Sequence, residues 1–174
     1  MNIKEQLQVD LSRVNADYIA GYIGTDSEKF EELIKLVFTD VPVLPERASW
    51  VVTNITEKYP DMIFPYLNQI ISKVNTFKHH STRRNILRTL ASIEIPEKYH
   101  GKLFDDCYRW LLSKDELPAV KVHSMQILYN ISRKQPDLKR ELTLVLEEFS
   151  NHESAAIFAR SRMLLKKLNK GKQM

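Results

Sequence analysis

Apolar side chains recur every three or four residues along the chain, which is the spacing of amphipathic helices. Two of these stripes are Phe30, Leu33, Ile34, Val37 and Phe38 and, later in the chain, Leu138, Leu142, Val145, Leu146 and Phe149. The strict alternation of a half-buried strand does not appear, and the four glycines are too few for the turns of a β-rich fold. The pattern therefore predicts an all-α protein.

The stripes and the short polar segments between them predict four antiparallel helix pairs. The first helices of the pairs are expected at 28–38, 61–74, 98–113 and 137–149, and the second helices at 46–58, 82–94, 119–133 and 154–169. Pro60 and Pro136 suit the first turn of a helix, where the missing N–H has no intrahelical partner to lose. One further helix, at about 11–23, is expected to precede the pairs and cap them.

The pairs repeat with a period of about 38 residues. The phrases YPDM and QPDL place Pro60 and Pro136 76 residues apart, which is twice 38. A shift of 38 superposes two apolar rows, and a shift of 37 superposes a basic row: Val52, Leu90 and Leu128; Ile55, Ile93 and Ile131; Arg47, Arg84 and Lys121. One helix pair cannot bury its apolar stripe alone, whereas stacked pairs share a continuous core.

These units resemble HEAT repeats, in which an acid in the turn precedes a second helix that opens with a hydrophobic–basic pair and a small residue. Asp40 with Arg47 and Ala48 matches best, followed by Asp115 with Val120 and Lys121. The second unit has no acid in its turn, the fourth has Asn151, and the period is shorter than the usual ~40–47 residues.

The resemblance covers about residues 28–169 and implies an armadillo-like, right-handed α-α superhelix, a HEAT-like solenoid of about four helix pairs. It also implies that the second helices line a concave face. A helical bundle without repeats is the structural alternative. We expect a single domain over 1–174, with an N-terminal capping segment at 1–26, four hairpins at 27–169 and a basic tail at 170–174.

Positive charge is concentrated in the predicted second helices, which sum to +8 although the whole chain carries +4. Helical spacing places one set of residues away from the core stripes, and these form the candidate partner-binding surface: Trp50, Arg84, Arg88, Tyr129, Arg133, Arg162 and Lys166. Met125 is predicted on the same outward side of its helix. Basic side chains with aromatic platforms among them suit an anionic macromolecule. A solvated helix face and an ion-pair ladder between repeats are the other two interpretations.

No catalytic, metal or cofactor motif emerges. His79 and His80 lack the further ligands that a zinc site needs, and Cys107 has no histidine nearby in sequence to act as its base. The GYIG segment at 21–24 lacks the remainder of a phosphate-binding loop. We expect no catalytic residues, no metal and no cofactor, and the sequence leans away from an enzyme. The single cysteine and the absence of a signal segment or apolar span favour a cytoplasmic location.

Two functions remain. The favoured hypothesis is a non-enzymatic HEAT-like scaffold whose basic concave surface mediates protein–protein interaction, with an acidic segment as its partner. The alternative is nucleic-acid binding, with a resemblance at fold level to HEAT-like DNA-alkylation-repair glycosylases, whose basic groove holds duplex DNA. No motif ties Trp50 and Glu57 into such a site, so no catalytic residue is carried over.

Overall fold

The computed structural model describes residues 1–170, which form α-helices joined by short turns and contain no strand. The α-helices are α1 (Ile3–Val9), α2 (Arg13–Ile23), α3 (Ser27–Val37), α4 (Leu44–Thr56), α5 (Leu67–Lys73), α6 (His80–Ser92), α7 (His100–Leu112), α8 (Pro118–Lys134), α9 (Lys139–Phe149) and α10 (Ala155–Lys170). Short 3₁₀ segments occupy Pro60–Tyr66, Val74–Thr76, Glu97–Tyr99 and Pro136–Leu138. The predicted all-α class is confirmed.

Most predicted helices differ from the observed ones only near their ends, as at 46–58, where α4 begins at Leu44 and ends at Thr56, and one segment differs in helix type over most of its first half. The segment expected to be one helix at 61–74 instead begins as the 3₁₀ stretch Pro60–Tyr66 and becomes α-helical only from Leu67. Pro65 lies inside that stretch and has no N–H to donate to the preceding turn, which disfavours regular α-helix there. The helix expected at 82–94 begins two residues earlier, at His80, and ends at Ser92.

The N-terminal segment contains two helices, and the first of them, α1, was not predicted. Ile3 and Leu7 are each 1% exposed, so both apolar residues of α1 are buried. Arg47 Nη1 donates to the carbonyl oxygen of Leu7 at 2.7 Å, and Asn15 Nδ2 donates to the Gln6 carbonyl at 3.0 Å. These two side chains satisfy carbonyls in the last turn of α1 that have no partner within the helix.

The chain divides into two compact units, unit 1 at Met1–Ile93 and unit 2 at Glu94–Met174. Unit 1 contains α1 to α6, and α4 is its central helix because α1, α2, α3 and α6 all pack against it. Unit 2 contains α7 to α10, and α8 has the corresponding place because α7, α9 and α10 pack against it. The proposed single domain and its subdivision at 26 and 169 stay predictions, and residues 171–174 of the predicted basic tail lie outside the described residues.

The two apolar rows of the repeat lie in the cores of the units. Val52, Leu90 and Leu128 are fully buried, and Ile55, Ile93 and Ile131 are at most 6% exposed. The same relation therefore places equivalent side chains in α4, in and just after α6, and in α8. Burial of side chains of this size contributes about 1.5–3 kcal/mol each to folding.

The three residues of the basic row lie in different environments. Arg47 is half-buried against α1, and Lys121 is buried with its Nζ 5.6 Å from the centre of the Phe149 ring. Arg84 is exposed. The apolar rows of the repeat are therefore structurally equivalent and the basic row is not, because apolar burial is what every stacked helix pair requires.

Val43, which immediately precedes α4, has a left-handed backbone conformation with φ of 64°. A β-branched side chain is disfavoured in this region by contact between Cβ and the backbone. Val43 is 42% exposed, so its side chain recovers little of that cost through burial.

Candidate functional site

The seven candidate residues divide between the two units. Trp50, on α4, and Arg84 and Arg88, on α6, belong to unit 1. The other four lie on α8 and α10 of unit 2: Tyr129, Arg133, Arg162 and Lys166. Each group is described within its own unit.

In unit 1 a buried network of hydrogen bonds joins α4 to α6. Asn85 Nδ2 donates to Ser49 Oγ at 3.1 Å, and Thr53 Oγ1 donates to the Asn85 carbonyl at 3.2 Å. The hydroxyls of Thr53 and Thr89 also lie 3.2 Å apart. All four side chains are at most 6% exposed, so their polar atoms form hydrogen bonds with one another and not with water.

The basic side chains of unit 1 at the candidate surface are occupied by neighbours. Arg88 Nη2 pairs with Glu57 Oε1, which removes one positive charge from this surface. Arg84 donates from Nε and Nη2 to Asn85 Oδ1 at 3.3 and 3.2 Å. Trp50 is half-buried. One of the three interpretations of the basic residues was an ion pair between repeats. The contact of Arg88 with Glu57 is such an ion pair.

In unit 2 the facing side chains of α8 and α10 are polar and aromatic. Arg160 Nη1 donates to Gln126 Oε1 at 2.7 Å, and Gln126 Nε2 donates to Asn130 Oδ1 at 2.9 Å. The Nζ of Lys167 lies 5.8 Å from the centre of the Tyr129 ring. Cations at such distances from ring faces are attracted by the ring quadrupole.

Several cations of unit 2 are exposed without an ion pair among residues 1–170, and those on α8 and α10 include Arg133, Arg162, Lys166 and Lys167. The guanidinium of Arg162 lies 5.2 Å from the centre of the Phe158 ring, on its own helix. Nearby, Lys134 Nζ pairs with Glu94 Oε1 at 2.8 Å. That hydrogen bond holds the pKa of the Glu94 carboxyl below its ordinary value, and the Arg133 charge adds to the effect.

The two units differ in charge. Unit 1 contains 11 basic and 11 acidic residues, and unit 2 contains 15 basic and 11 acidic residues, so the net +4 of the chain belongs to unit 2. Within unit 2, α8 and α10 together carry eight Lys and Arg residues and no Asp or Glu. These two helices are the second members of their pairs, the layer in which the sequence placed the excess of positive charge.

Some features of this surface were not predicted. Met125, expected on the outward side of α8, is fully buried, because α7, α9 and α10 all pack against this helix. The hydrogen bond from Arg160 to Gln126 was also missed. Both residues have polar side chains within second helices, but sequence spacing does not place residues on different helices opposite each other.

The cysteine, one histidine and the GYIG segment, which could suggest catalysis or ligand binding, lie in environments typical of structural roles. Cys107 is fully buried, and burial raises the pKa of its thiol well above its ordinary value, which disfavours the reactive thiolate. His100 is 3% exposed, with its Nε2 2.8 Å from the Ile95 carbonyl oxygen. Gly24 ends α2 with φ of 53°, so GYIG contains a helix-terminating glycine.

Residues 1–170 lack two features that would indicate a particular kind of site. No group of three or more His, Cys, Asp and Glu side chains is arranged to hold a metal ion in that part of the chain. No helix within the same range has the length and apolar character needed to span a bilayer.

The stacked helix pairs define an all-α repeat protein, and comparison with known families identifies the kind of repeat. The family model described as HEAT repeat domain matches residues 3–168. The chain therefore belongs to the HEAT repeat domain family, and the resemblance noted in the sequence is confirmed. The comparison with curated proteins finds no match.

Two solved structures share the fold. A designed armadillo repeat protein is similar at 16% identity and a TM-score of 0.59, covering 96% of this chain and 80% of that one. An engineered protein, a target of the Northeast Structural Genomics Consortium, has 16% identity and a TM-score of 0.64, covering 97% and 78%. At this level of identity the likeness shows the fold alone, which is an α solenoid of the HEAT and armadillo type.

Proposed function

We propose that the chain is a non-enzymatic interaction module that binds an acidic segment of a partner protein on α8 and α10. HEAT and armadillo-like repeats are typically scaffolds for protein partners. The observation that carries the proposal is the excess of charge on these two helices, which have eight basic residues and no acidic residue.

The basic surface is composed of Arg133, Arg162, Lys166 and Lys167 (hereafter the α8–α10 basic surface), all exposed and without a partner carboxylate among residues 1–170. In unit 1, by contrast, Arg88 is already paired with Glu57. Exposed cations without local counter-charges attract an anionic partner and raise its association rate. Carboxylates of an extended acidic segment would make charge-assisted hydrogen bonds with the guanidinium groups.

The alternative partner is a nucleic acid, which the same cations would attract through its phosphates. Single-stranded nucleic acids also need exposed aromatic faces on which bases stack. In unit 2, Lys167 lies over the Tyr129 ring and Arg162 over the Phe158 ring, so a cation already occupies one face of each ring. This arrangement favours the acidic protein segment over a stacked strand.

The decisive experiment measures fluorescence anisotropy with three labelled probes: an acidic peptide of Glu and Asp, a duplex DNA and a single-stranded RNA. We expect the peptide to bind and the Arg162→Glu/Lys166→Glu variant to weaken it at least about tenfold, since two attractive charges become repulsive. The matched control is Lys139→Glu/Arg140→Glu, which makes the same change of charge at exposed positions on α9.

Equal weakening by both double variants would show non-specific attraction to net charge and would contradict the proposal. Tighter binding of DNA or RNA than of peptide, falling by roughly 10² between 50 and 200 mM salt as about four phosphate contacts predict, would favour the alternative. We also propose a cytoplasmic location, since the lone Cys107 thiol is free and buried as in a reducing compartment.

A further inference from the structure

Unit 1 contains a cavity of about 410 Å³ that the proposed function does not use. Its wall is formed by the end of α3, the turn that follows it, the end of α5 and the first turn of α6. The volume lies within the range of small-molecule sites, roughly 300–1,000 Å³, and exceeds what a single inorganic ion fills.

One part of the cavity wall is aromatic. The rings of Phe38 and Phe77 stack with centroids 5.7 Å apart and planes inclined by 20°. Phe77 is 9% exposed, and Phe38 is half-buried. A flat apolar group can contact these rings without leaving polar atoms unpaired.

Two lysines and a histidine form the rim of the cavity. Lys73, Lys78 and His79 all line it and are exposed, and the Lys73 Nζ lies 5.3 Å from the centre of the Phe38 ring. The one acid in the wall is Asp40, whose Oδ1 accepts from Lys78 Nζ at 2.7 Å. That hydrogen bond lowers the pKa of Asp40 below its ordinary value, so the carboxylate is charged at neutral pH.

The first turn of α6 supplies a second electropositive element. The N-cap residue of this 13-residue helix, His79, makes no side-chain capping bond, and the first turn contains no acidic residue. The positive end of the helix dipole thus lies beside Lys78 and His79, and the first turn itself supplies no acid to offset it. An anion bound there would offset both sources of positive potential.

Thr82, in the same turn, has an unsatisfied hydroxyl. Thr82 lines the cavity, is 1% exposed, and its Oγ1 makes no hydrogen bond. A buried hydroxyl without a partner costs about 1–3 kcal/mol. Rotation about χ1 to another staggered rotamer moves Oγ1 to a different side of Cβ, from which the hydroxyl can donate to a ligand in the cavity.

We propose that this cavity binds an organic oxyanion, that is, a carboxylate or phosphate group joined to a flat apolar ring. The oxyanion would lie at the start of α6, where it accepts from Thr82 and faces Lys73 and Lys78. The ring would contact Phe38 and Phe77. The α8–α10 basic surface lies on other residues, so either proposal can fail without the other.

Phenyl phosphate is the test probe, with inorganic phosphate and benzyl alcohol as probes that each lack one half of it. Titration into the full-length protein is followed through the backbone amide resonances of Ser81 and Thr82. We expect phenyl phosphate to shift both and to bind at least about tenfold more tightly than either partial probe. Equal affinity for inorganic phosphate or for benzyl alcohol would overturn the proposal.

Substitutions separate the parts of the site. Thr82→Val keeps the shape and should weaken phenyl phosphate about tenfold, whereas Thr82→Ser should retain it. Lys73→Gln should also weaken binding, while Lys58→Gln, an exposed lysine outside the cavity, should not. Asp40→Asn should strengthen binding, because it removes the one negative charge in the wall and releases Lys78.

Wild-type affinity in both Thr82→Val and Lys73→Gln, or equal losses in Lys73→Gln and Lys58→Gln, would refute the site. Phenyl phosphate represents two sources of the same chemistry, a free aryl phosphate and a phosphotyrosine side chain. A phosphotyrosine peptide that binds more tightly than phenyl phosphate would assign the site to a protein segment. Weaker binding of the peptide would assign it to the free compound.

Discussion

The second helices of unit 1 and those of unit 2 use their polar side chains differently. Between α4 and α6, Asn85, Ser49, Thr53 and Thr89 are buried and hydrogen-bonded to one another. Between α8 and α10 the direct polar contact is the half-buried pair Arg160 and Gln126, and the remaining cations are exposed. One repeat pattern therefore supports a closed polar interface in one unit and a charged surface in the other.

This difference shows what the repeat fixes and what it leaves open. Apolar rows recur in both units because every helix pair must hide its stripe from water. The polar positions beside those rows are not under that constraint. They can be committed to a buried network, as in unit 1, or remain available for a partner, as we propose for unit 2. The following predictions test this contrast, beginning with the feature that the units share.

The largest effect is expected at the equivalent core leucines. Leu90→Ala and Leu128→Ala each remove a fully buried side chain, and each should lower the free energy of unfolding by about 2–5 kcal/mol. Urea denaturation followed by circular dichroism measures both. Exposed Leu144→Ala on α9 is the matched control and should change stability by less than about 0.5 kcal/mol. A loss at one leucine only would break the equivalence of the two positions.

The second effect should separate the units. Asn85→Ala removes the bonds to Ser49 and Glu46 from a buried site and should cost about 1–3 kcal/mol. Gln126→Ala removes a bond to Arg160 from a half-buried site, where water can replace it, and should cost less than about 1 kcal/mol. The same urea measurement applies. Equal costs would show that burial does not distinguish the two interfaces.

A smaller effect concerns backbone strain in unit 1. Val43→Gly replaces a β-branched residue at φ of 64° with one that adopts this conformation freely. We expect the free energy of unfolding to rise by about 1 kcal/mol, since the relief of strain exceeds the entropy that glycine adds to the unfolded chain. Thermal denaturation measures the change. Val9→Gly, also exposed but in regular helix, should instead destabilise.

The smallest effect is a pH dependence in unit 2. Because Lys134 lowers the pKa of Glu94 in the folded chain, the pair stabilises the protein above the ordinary value of 4.5, and this contribution is lost as pH falls through the lowered pKa. In Lys134→Met the Glu94 pKa should rise towards 4.5, as measured by NMR titration of the side-chain carboxyl. Lys139→Met should leave it unchanged. An unaltered Glu94 pKa in Lys134→Met would contradict the assigned cause.

Most of the fold could be predicted because its signal is periodic and repeated. The rows through Leu90 and Ile55 appear in the sequence at a constant shift and lie in the cores of the units. Helix α1 was not predicted because it has few apolar residues. The hydrogen bond that holds it in place comes from Arg47, forty residues from Leu7. Pro65 altered the helix type within a segment whose apolar spacing still resembles an α-helix.

Less of the candidate site could be predicted, because it depends on which residues face each other. Spacing placed Arg88 and Glu57 outside their core stripes, but their pairing needs the observed packing of α4 and α6. The cavity beside Phe38 gave no sequence signal at all, since its wall combines residues from α3 to α6. The histidine pair at 79 and 80, for which the sequence predicted no metal site, borders that cavity through His79.

The hydrogen bond from Arg47, on α4, to the Leu7 carbonyl holds the seven-residue helix α1 in place. A helix so short would fray rapidly by itself in water. Aminopeptidase digestion past Ile3 would therefore require α1 to unfold, which would expose Ile3 and Leu7 and break the hydrogen bond from Arg47. We expect the N-terminus of the unsubstituted protein to be degraded more slowly than that of Arg47→Met in a timed digestion followed by mass spectrometry.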